Sequence, residues 1–177
     1  RALASVRDML KDGGLVGDPT ERALVVLAAK GGGDPALTRE RYPRVATLPF
    51  DAAYKLMATF HRMKDTSGRD VIRAYVKGAP DQLLARAADE HGPDGRAVPV
   101  ADIREKYLAE NERLAAQGLR VMATAQRDFD PATFDPGADM LALMQDLTLL
   151  ALVGIVDPPR AAAKASIATA RKAGIRV

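Results

Sequence analysis

At 177 residues, 28% charged and 47% apolar, the chain has ordinary globular composition and enough length for one cored domain, or one domain plus a fragment. Its net charge of +3 includes no Lys/Arg block, which excludes a nucleic-acid footprint but suits an anionic ligand, and the lack of Cys excludes disulfide scaffolds and thiolate metal sites. No apolar run reaches the ~18–20 residues of a membrane helix, and His61 and His91 stand too far apart in sequence to suggest a metal site.

Residues 2–11 carry helical spacing through Leu3, Val6, Met9 and Leu10, ended by Gly13-Gly14. Asp18 is a good N-cap, Pro19 suits the first helical position, and Glu21 stands three residues after the cap. That helix should run through Leu24 and Leu27 to Gly31-Gly32-Gly33, with Glu21 free to complete a capping box. Residues 34–44 read as a polar connection, and 45–48 as an extended piece interrupted at Pro49-Phe50. From Lys55 to Arg62 the pattern alternates, with Leu56, Ala58 and Phe60 on one side and Lys55, Met57 and Thr59 on the other. The cluster Lys64-Asp65-Thr66-Ser67-Gly68-Arg69-Asp70 turns this strand back as a hairpin.

The returning strand, Asp70 to Lys77, puts Ile72, Ala74 and Val76 on a wholly apolar face and Val71, Arg73, Tyr75 and Lys77 on the other. This register lets Lys55 and Lys77 share a sheet face. Lys77 ends the strand before Gly78-Ala79-Pro80, where an ammonium beside a helix start makes an anion site or a solvated lysine. An exposed lysine of this kind can be removed at a cost to folding of at most ~1 kcal/mol. Gly78 allows a close backbone approach.

A short helix is predicted over 81–88, a loop around His91-Gly92-Pro93-Asp94-Gly95, and an amphipathic helix over 100–117 with Ile103, Tyr107, Leu108, Leu114 and Ala115 as its stripe, stopped by Gly118. Residues 119–127 form a strand with Arg120, Met122, Thr124 and Gln126 on one face, and 128–140 a loop. The longest apolar run, 147–156, reads as a buried strand leaving stiffly through Asp157-Pro158-Pro159-Arg160 to a helix over 161–173. The order of elements predicts an α+β domain, a mainly antiparallel twisted β-sheet with helices packed on one face. The start at Arg1 and the ending Ala173-Gly174-Ile175-Arg176-Val177, where a strand would begin, suggest a piece of a longer protein.

Lys77-Gly78-Ala79-Pro80-Asp81 closely resembles the Lys-Gly-Ala-Pro-Glu motif in the nucleotide-binding domain of the P-type ATPases, the cation pumps. Three further segments resemble motifs of that family in its order: Gly17-Asp18-Pro19-Thr20-Glu21-Arg22-Ala23-Leu24, Phe50-Asp51-Ala52-Ala53-Tyr54-Lys55-Leu56-Met57, and the hinge-like Asp157-Pro158-Pro159-Arg160. Gly118-Leu119-Arg120-Val121 is similar to a fifth, and the pattern is that of the type II pumps. Ala52 departs from calcium pumps that carry Arg there, which puts one phosphate contact in doubt.

The resemblance implies an ATP-binding site with Phe50 stacking on adenine, Glu21 reaching the adenine amino group, Lys55 and Lys77 on the pocket floor beside Gly78, and Arg120 at the phosphates. It implies residues 1–156 as the nucleotide-binding domain and 157–177 as the hinge and start of the phosphorylation domain. It also implies a soluble domain on the cytoplasmic side of a membrane, working with the phosphorylation and actuator domains of its parent and touching neither nucleic acid nor membrane. No catalytic residue is implied here: the Asp-Lys-Thr-Gly-Thr, Thr-Gly-Glu and Thr-Gly-Asp segments of the family are absent. The parent would use Mg²⁺, whereas this stretch offers no metal cage, so it should bind ATP and ADP without turnover. Read from residues alone, core packing is the better reading of Phe50, and an exposed sheet face fits Arg120 as well as a phosphate contact does. A free-standing nucleotide hydrolase and a protein-interaction module are the rival functions.

Overall fold

A computed structural model of the chain describes residues 9–11, 14–16, 19–92, 94–156 and 161–176. Met9–Lys11 (β1) pairs antiparallel with Gly14–Val16 (β2) as a separate small sheet. Helices Pro19–Lys30 (α1) and Pro35–Arg41 (α2) lead into strands Arg44–Asp51 (β3), Leu56–Lys64 (β4) and Asp70–Gly78 (β5). Then come Pro80–Leu84 (α3), Ala87–His91 (β6), Ala97–Pro99 (β7), Val100–Ala116 (α4), Arg120–Phe129 (β8), Leu147–Ile155 (β9) and Ala161–Lys172 (α5). The main sheet has seven strands in the order β3-β4-β5-β8-β9-β6-β7. Every pairing within it is antiparallel except β6 against β9. The fold is α+β, as the order of elements predicts.

The predicted hairpin forms with unbroken register from Leu56↔Gly78 to Lys64↔Asp70. Its turn is set by the Asp65 carboxylate, which accepts from the Ser67 and Arg69 amides at 2.8 and 3.0 Å. The predicted apolar sets become the core: Leu56, Ala58, Phe60, Ile72, Ala74 and Val76 cluster with Leu83 and Leu84 of α3 and Ile103 and Tyr107 of α4. Each large side chain buried there contributes ~1.5–3 kcal/mol.

The opposite face is not a solvated one. Val71, Arg73, Tyr75 and Lys77 are all buried: α1 sets Leu24 and Val25 against Met122 of β8 and Ile155 of β9, and Tyr42, between α2 and β3, packs on Met63, Val71 and Tyr75. The expectation of helices on one face is thereby corrected: α3 and α4 cover one face and α1 the other. Arg73 survives burial through a bidentate ion pair with Asp128, at 2.5 and 2.6 Å, which raises its pKa further above the ordinary arginine value.

Local departures have local causes. Of the helix expected over 2–11, Met9–Lys11 is a strand, and the earlier residues lie outside those described. Asp18 lies outside them too. The connection over 34–44 contains α2, started by Asp34, whose carboxylate accepts from the Ala36 and Leu37 amides at 2.8 and 3.1 Å. β3 continues through Pro49-Phe50 because it is an edge strand, where a missing donor is tolerated, and a register shift falls there. The helix expected over 81–88 stops at Leu84, and Ala87–His91 pairs instead with β9 and β7. Of the α4 stripe, Ile103 and Tyr107 are buried, whereas Leu108 is 39% exposed.

His61, unremarkable in sequence, is 1% exposed on the α1 face. Its Nδ1 lies 2.9 Å from the Tyr42 carbonyl, which can only accept, so Nδ1 carries the hydrogen and Nε2 accepts from the Thr59 hydroxyl at 3.0 Å. Desolvation, aided by the charge of Arg44, lowers its pKa below the ordinary 6.5 despite the opposing Tyr42 bond. Because the unfolded chain binds the proton more readily, stability should be constant above pH 6.5 and fall as pH drops below it. Urea midpoints measured between pH 7.5 and about 5, where carboxylates begin to titrate, should show this fall, and His61→Gln should flatten it. An equally steep fall in His61→Gln would place the titration elsewhere.

Candidate functional site

The residues singled out by sequence converge on one end of the sheet, the end where β4 begins and β5 stops. Asp51 pairs with Leu56, Leu56 with Gly78 and Gly78 with Ala123, so β3, β4, β5 and β8 reach this end side by side.

Gly78 is required by its neighbours. A Cβ there would lie 2.6 Å from the Lys55 carbonyl oxygen and 2.7 Å from Leu56 Cβ, and the Ala79 amide donates to that carbonyl at 3.0 Å. The close approach is therefore between strand end and turn. Lys55 sits in that turn at φ 52°, outside the β4 ladder, which corrects the expectation that it alternates with Met57 and Thr59. Its amide donates to the Asp51 carbonyl at 2.8 Å, and its side chain is exposed.

Phe50 is 63% exposed, so it is not a core residue. It stands in the irregular stretch of β3 between Leu48 and Asp51. The Tyr54 hydroxyl braces that stretch by donating to the Pro49 carbonyl at 2.8 Å, while the Tyr54 side chain packs on the main core. Sequence reasoning passed over Tyr54. A tyrosine between the ring and the lysine of the same short segment was the available signal.

Lys77 is where the structure departs most from expectation. It is 7% exposed and forms an ion pair with Glu21 in the first turn of α1. The second carboxylate oxygen, Glu21 Oε2, is buried and accepts no hydrogen bond among the described residues. Glu21 thus reaches across to the sheet, carrying one satisfied oxygen and one open one. Next to it, Thr20 Oγ1 accepts from Arg120 Nη1 at 3.3 Å, tying the same helical turn to the start of β8, where Arg120 is exposed.

The structure therefore brings Glu21 to Lys77 by side chains, Lys55 to Gly78 by backbone, and Phe50 to the same end of the sheet. The arrangement offers an exposed ring, exposed cations at Lys55 and Arg120, and a buried carboxylate–ammonium pair with a spare acceptor. Among the described residues no three His, Asp or Glu side chains gather as a metal site. A cleft of about 820 Å³ lies elsewhere, under the later part of α1, lined by Leu24, Leu27, Arg73, Gln126 and Asp128 among others. Phe50, Lys55, Lys77 and Arg120 do not line it, and its arginines are paired to Asp128 and Asp65. The hinge-like Asp157, Pro158, Pro159 and Arg160 lie outside the described residues.

Comparison with known proteins gives a match over residues 5–162 to the family described as P-type ATPase, cytoplasmic domain N. Calcium-transporting ATPase 1 of Lactococcus lactis is 38% identical over 167 residues, which cover 94% of this chain and 18% of that protein. Cation-transporting ATPase pma1 of Synechocystis is 38% identical over 168 residues, covering 94% of this chain and 17% of that protein. The endoplasmic reticulum calcium ATPase srcA of Aspergillus fumigatus is 34% identical, covering 92% and 19%. The chain thus spans less than a fifth of the length of these relatives.

Proposed function

The chain belongs to the P-type ATPases, as their cytoplasmic domain N, and from that premise we propose that the sheet end bearing Phe50, Glu21, Lys55, Lys77, Gly78 and Arg120 binds ATP. The observation that carries the reading is the open oxygen of Glu21. A buried acceptor without a partner costs ~1–3 kcal/mol, and the exocyclic amino group of adenine is a donor that would relieve it. Phe50, exposed at the same end of the sheet, offers a face for the ring. Lys55 and Arg120 supply exposed positive charge for the phosphates, Arg120 with a planar fork suited to them.

In this reading the 177 residues hold nucleotide and the parent does the chemistry. Phosphoryl transfer needs a nucleophile and a metal placed against the γ-phosphate. Among the described residues no three His, Asp or Glu side chains gather to hold Mg²⁺, and in this reading the ion's ligands, like the nucleophile, belong to other parts of the parent. The parent would form its aspartyl-phosphate on other residues and couple it to transport of a cation across a membrane. Residues 157–177 are proposed as the hinge and the start of the phosphorylation domain. The exposure of Ile167 and Ile175, at 36% and 58%, on and just after α5 suits a helix that packs against a neighbour.

Titration with ATP, followed by amide NMR with Mg²⁺ and with chelator, tests the proposal alongside a phosphate-release assay. Shifts confined to Phe50, Lys77 and their neighbours, little changed by Mg²⁺ and without phosphate release, are the expected result. No shift at millimolar ATP would favour an interaction module. Steady release abolished by a point mutation within the chain would favour a complete hydrolase.

Phe50→Ala should weaken ATP binding by ~1–3 kcal/mol and leave stability within ~0.5 kcal/mol, since the ring is mostly in solvent. Calorimetry on the folded variant measures the first and urea unfolding the second. Unchanged ATP affinity would remove Phe50 from the site.

A further inference from the structure

One cation of the site, Lys77, is not open to solvent. Lys77 is 7% exposed and held by Glu21, whose own side chain is 24% exposed, while Lys55 and Arg120 remain exposed. Resting on the nucleotide reading above, we propose that Glu21 determines specificity: by occupying Lys77 it rejects polyanions that bring no hydrogen-bond donor of their own.

A bare polyphosphate reaching for Lys77 must displace a carboxylate already bonded to it. It gains one charge-assisted bond and breaks another, so the exchange yields little. It also leaves Glu21 with both oxygens short of partners, since Oε2 has none among the described residues to begin with. A ligand that carries a donor edge as well as phosphates meets a different balance. Its donor bonds to Glu21 at Oε2 with the ion pair intact, and the buried carboxylate gains the partner that it lacked. Anions compete freely only for Lys55 and Arg120, and screening by water and salt keeps such exposed cations weak on their own. The α1 turn that carries Glu21 is also joined to β8 through Thr20 and Arg120.

The test compares ATP with inorganic tripolyphosphate, both in chelator, by calorimetry on the 177-residue chain and its Glu21→Gln variant. A neutral amide holds Lys77 less strongly, so Glu21→Gln should bind tripolyphosphate roughly tenfold tighter than the wild type, and the preference for ATP should shrink by at least that factor. ATP binding with tripolyphosphate affinity unchanged or weaker in Glu21→Gln overturns this inference and leaves the nucleotide reading standing. Failure of both proteins to bind ATP overturns both. Should Glu21→Gln not fold, the wild type labelled with ¹⁵N-lysine supplies the readout. The Lys77 ammonium signal should move with ATP and stay in place at the same concentration of tripolyphosphate, and equal movement with both ligands overturns the proposal.

Discussion

Phe60→Ala is expected to lower the unfolding free energy by ~3–5 kcal/mol, the range for truncating a fully buried aromatic. Phe60 is 0% exposed in the middle of β4. Its ring lies 5.3 Å from Phe134 and 6.0 Å from Phe129, which are themselves 5.8 Å apart. Phe134 belongs to the turn-rich segment between β8 and β9, so one ring fastens that segment to the hairpin that carries Lys77. Removing it leaves a cavity bounded by strands whose register is set by continuous ladders and which cannot close freely. A domain of this size has only ~5–15 kcal/mol to lose. Urea unfolding should show a lower midpoint with little change in slope. A loss below ~1 kcal/mol would mean that the segment around Phe134 collapses into the space.

Lys77→Ala is the second large effect, and here the structure reverses the expectation from sequence. An exposed lysine would be removable at almost no cost. The observed Lys77 is buried and neutralises Glu21, so its loss leaves a mostly buried carboxylate without a counter-charge. Breaking a fully buried pair costs ~3–5 kcal/mol; with Glu21 about a quarter exposed, ~2–3 kcal/mol is expected here. ATP binding should weaken as well. Adding Glu21→Gln to Lys77→Ala should restore part of the stability, because the orphaned charge is then gone, and a double-mutant cycle reads the coupling directly. If Lys77→Ala unfolds at the same urea concentration as the wild type, the ion pair contributes nothing to the fold. The inference about Glu21 would then lose its footing.

Much of the candidate site was legible because it rests on short-range pattern. The period-two alternation of Leu56, Ala58 and Phe60, and of Ile72, Ala74 and Val76, placed the core face of the hairpin correctly, and Gly31 and Gly118 marked where α1 and α4 end. Phe50, Lys55, Gly78 and Arg120 were found through motifs whose order along the chain survives in space as one end of one sheet. Tyr54, which braces Phe50, was not found, because its hydrogen bond to Pro49 depends on a β3 irregularity that no local propensity encodes.

By itself the sequence determined which stretches alternate, where α1 and α4 stop, and which side of β4, β5 and β8 is apolar. Only the tertiary structure decided that the other side is covered too. Nothing near Ala87–His91 announces a strand, since its partner β9 lies far along the chain and supplies the hydrogen bonds that make it one. Nothing near Lys77 announces Glu21, which stands 56 residues away. Alternation reports on which face of a strand is greasy, a property of neighbours in sequence. Whether a lysine on the polar face meets water or a carboxylate depends on where a distant helix comes to lie. That is settled by Leu24 and Val25 finding Met122 and Ile155, a packing choice made across the whole sheet.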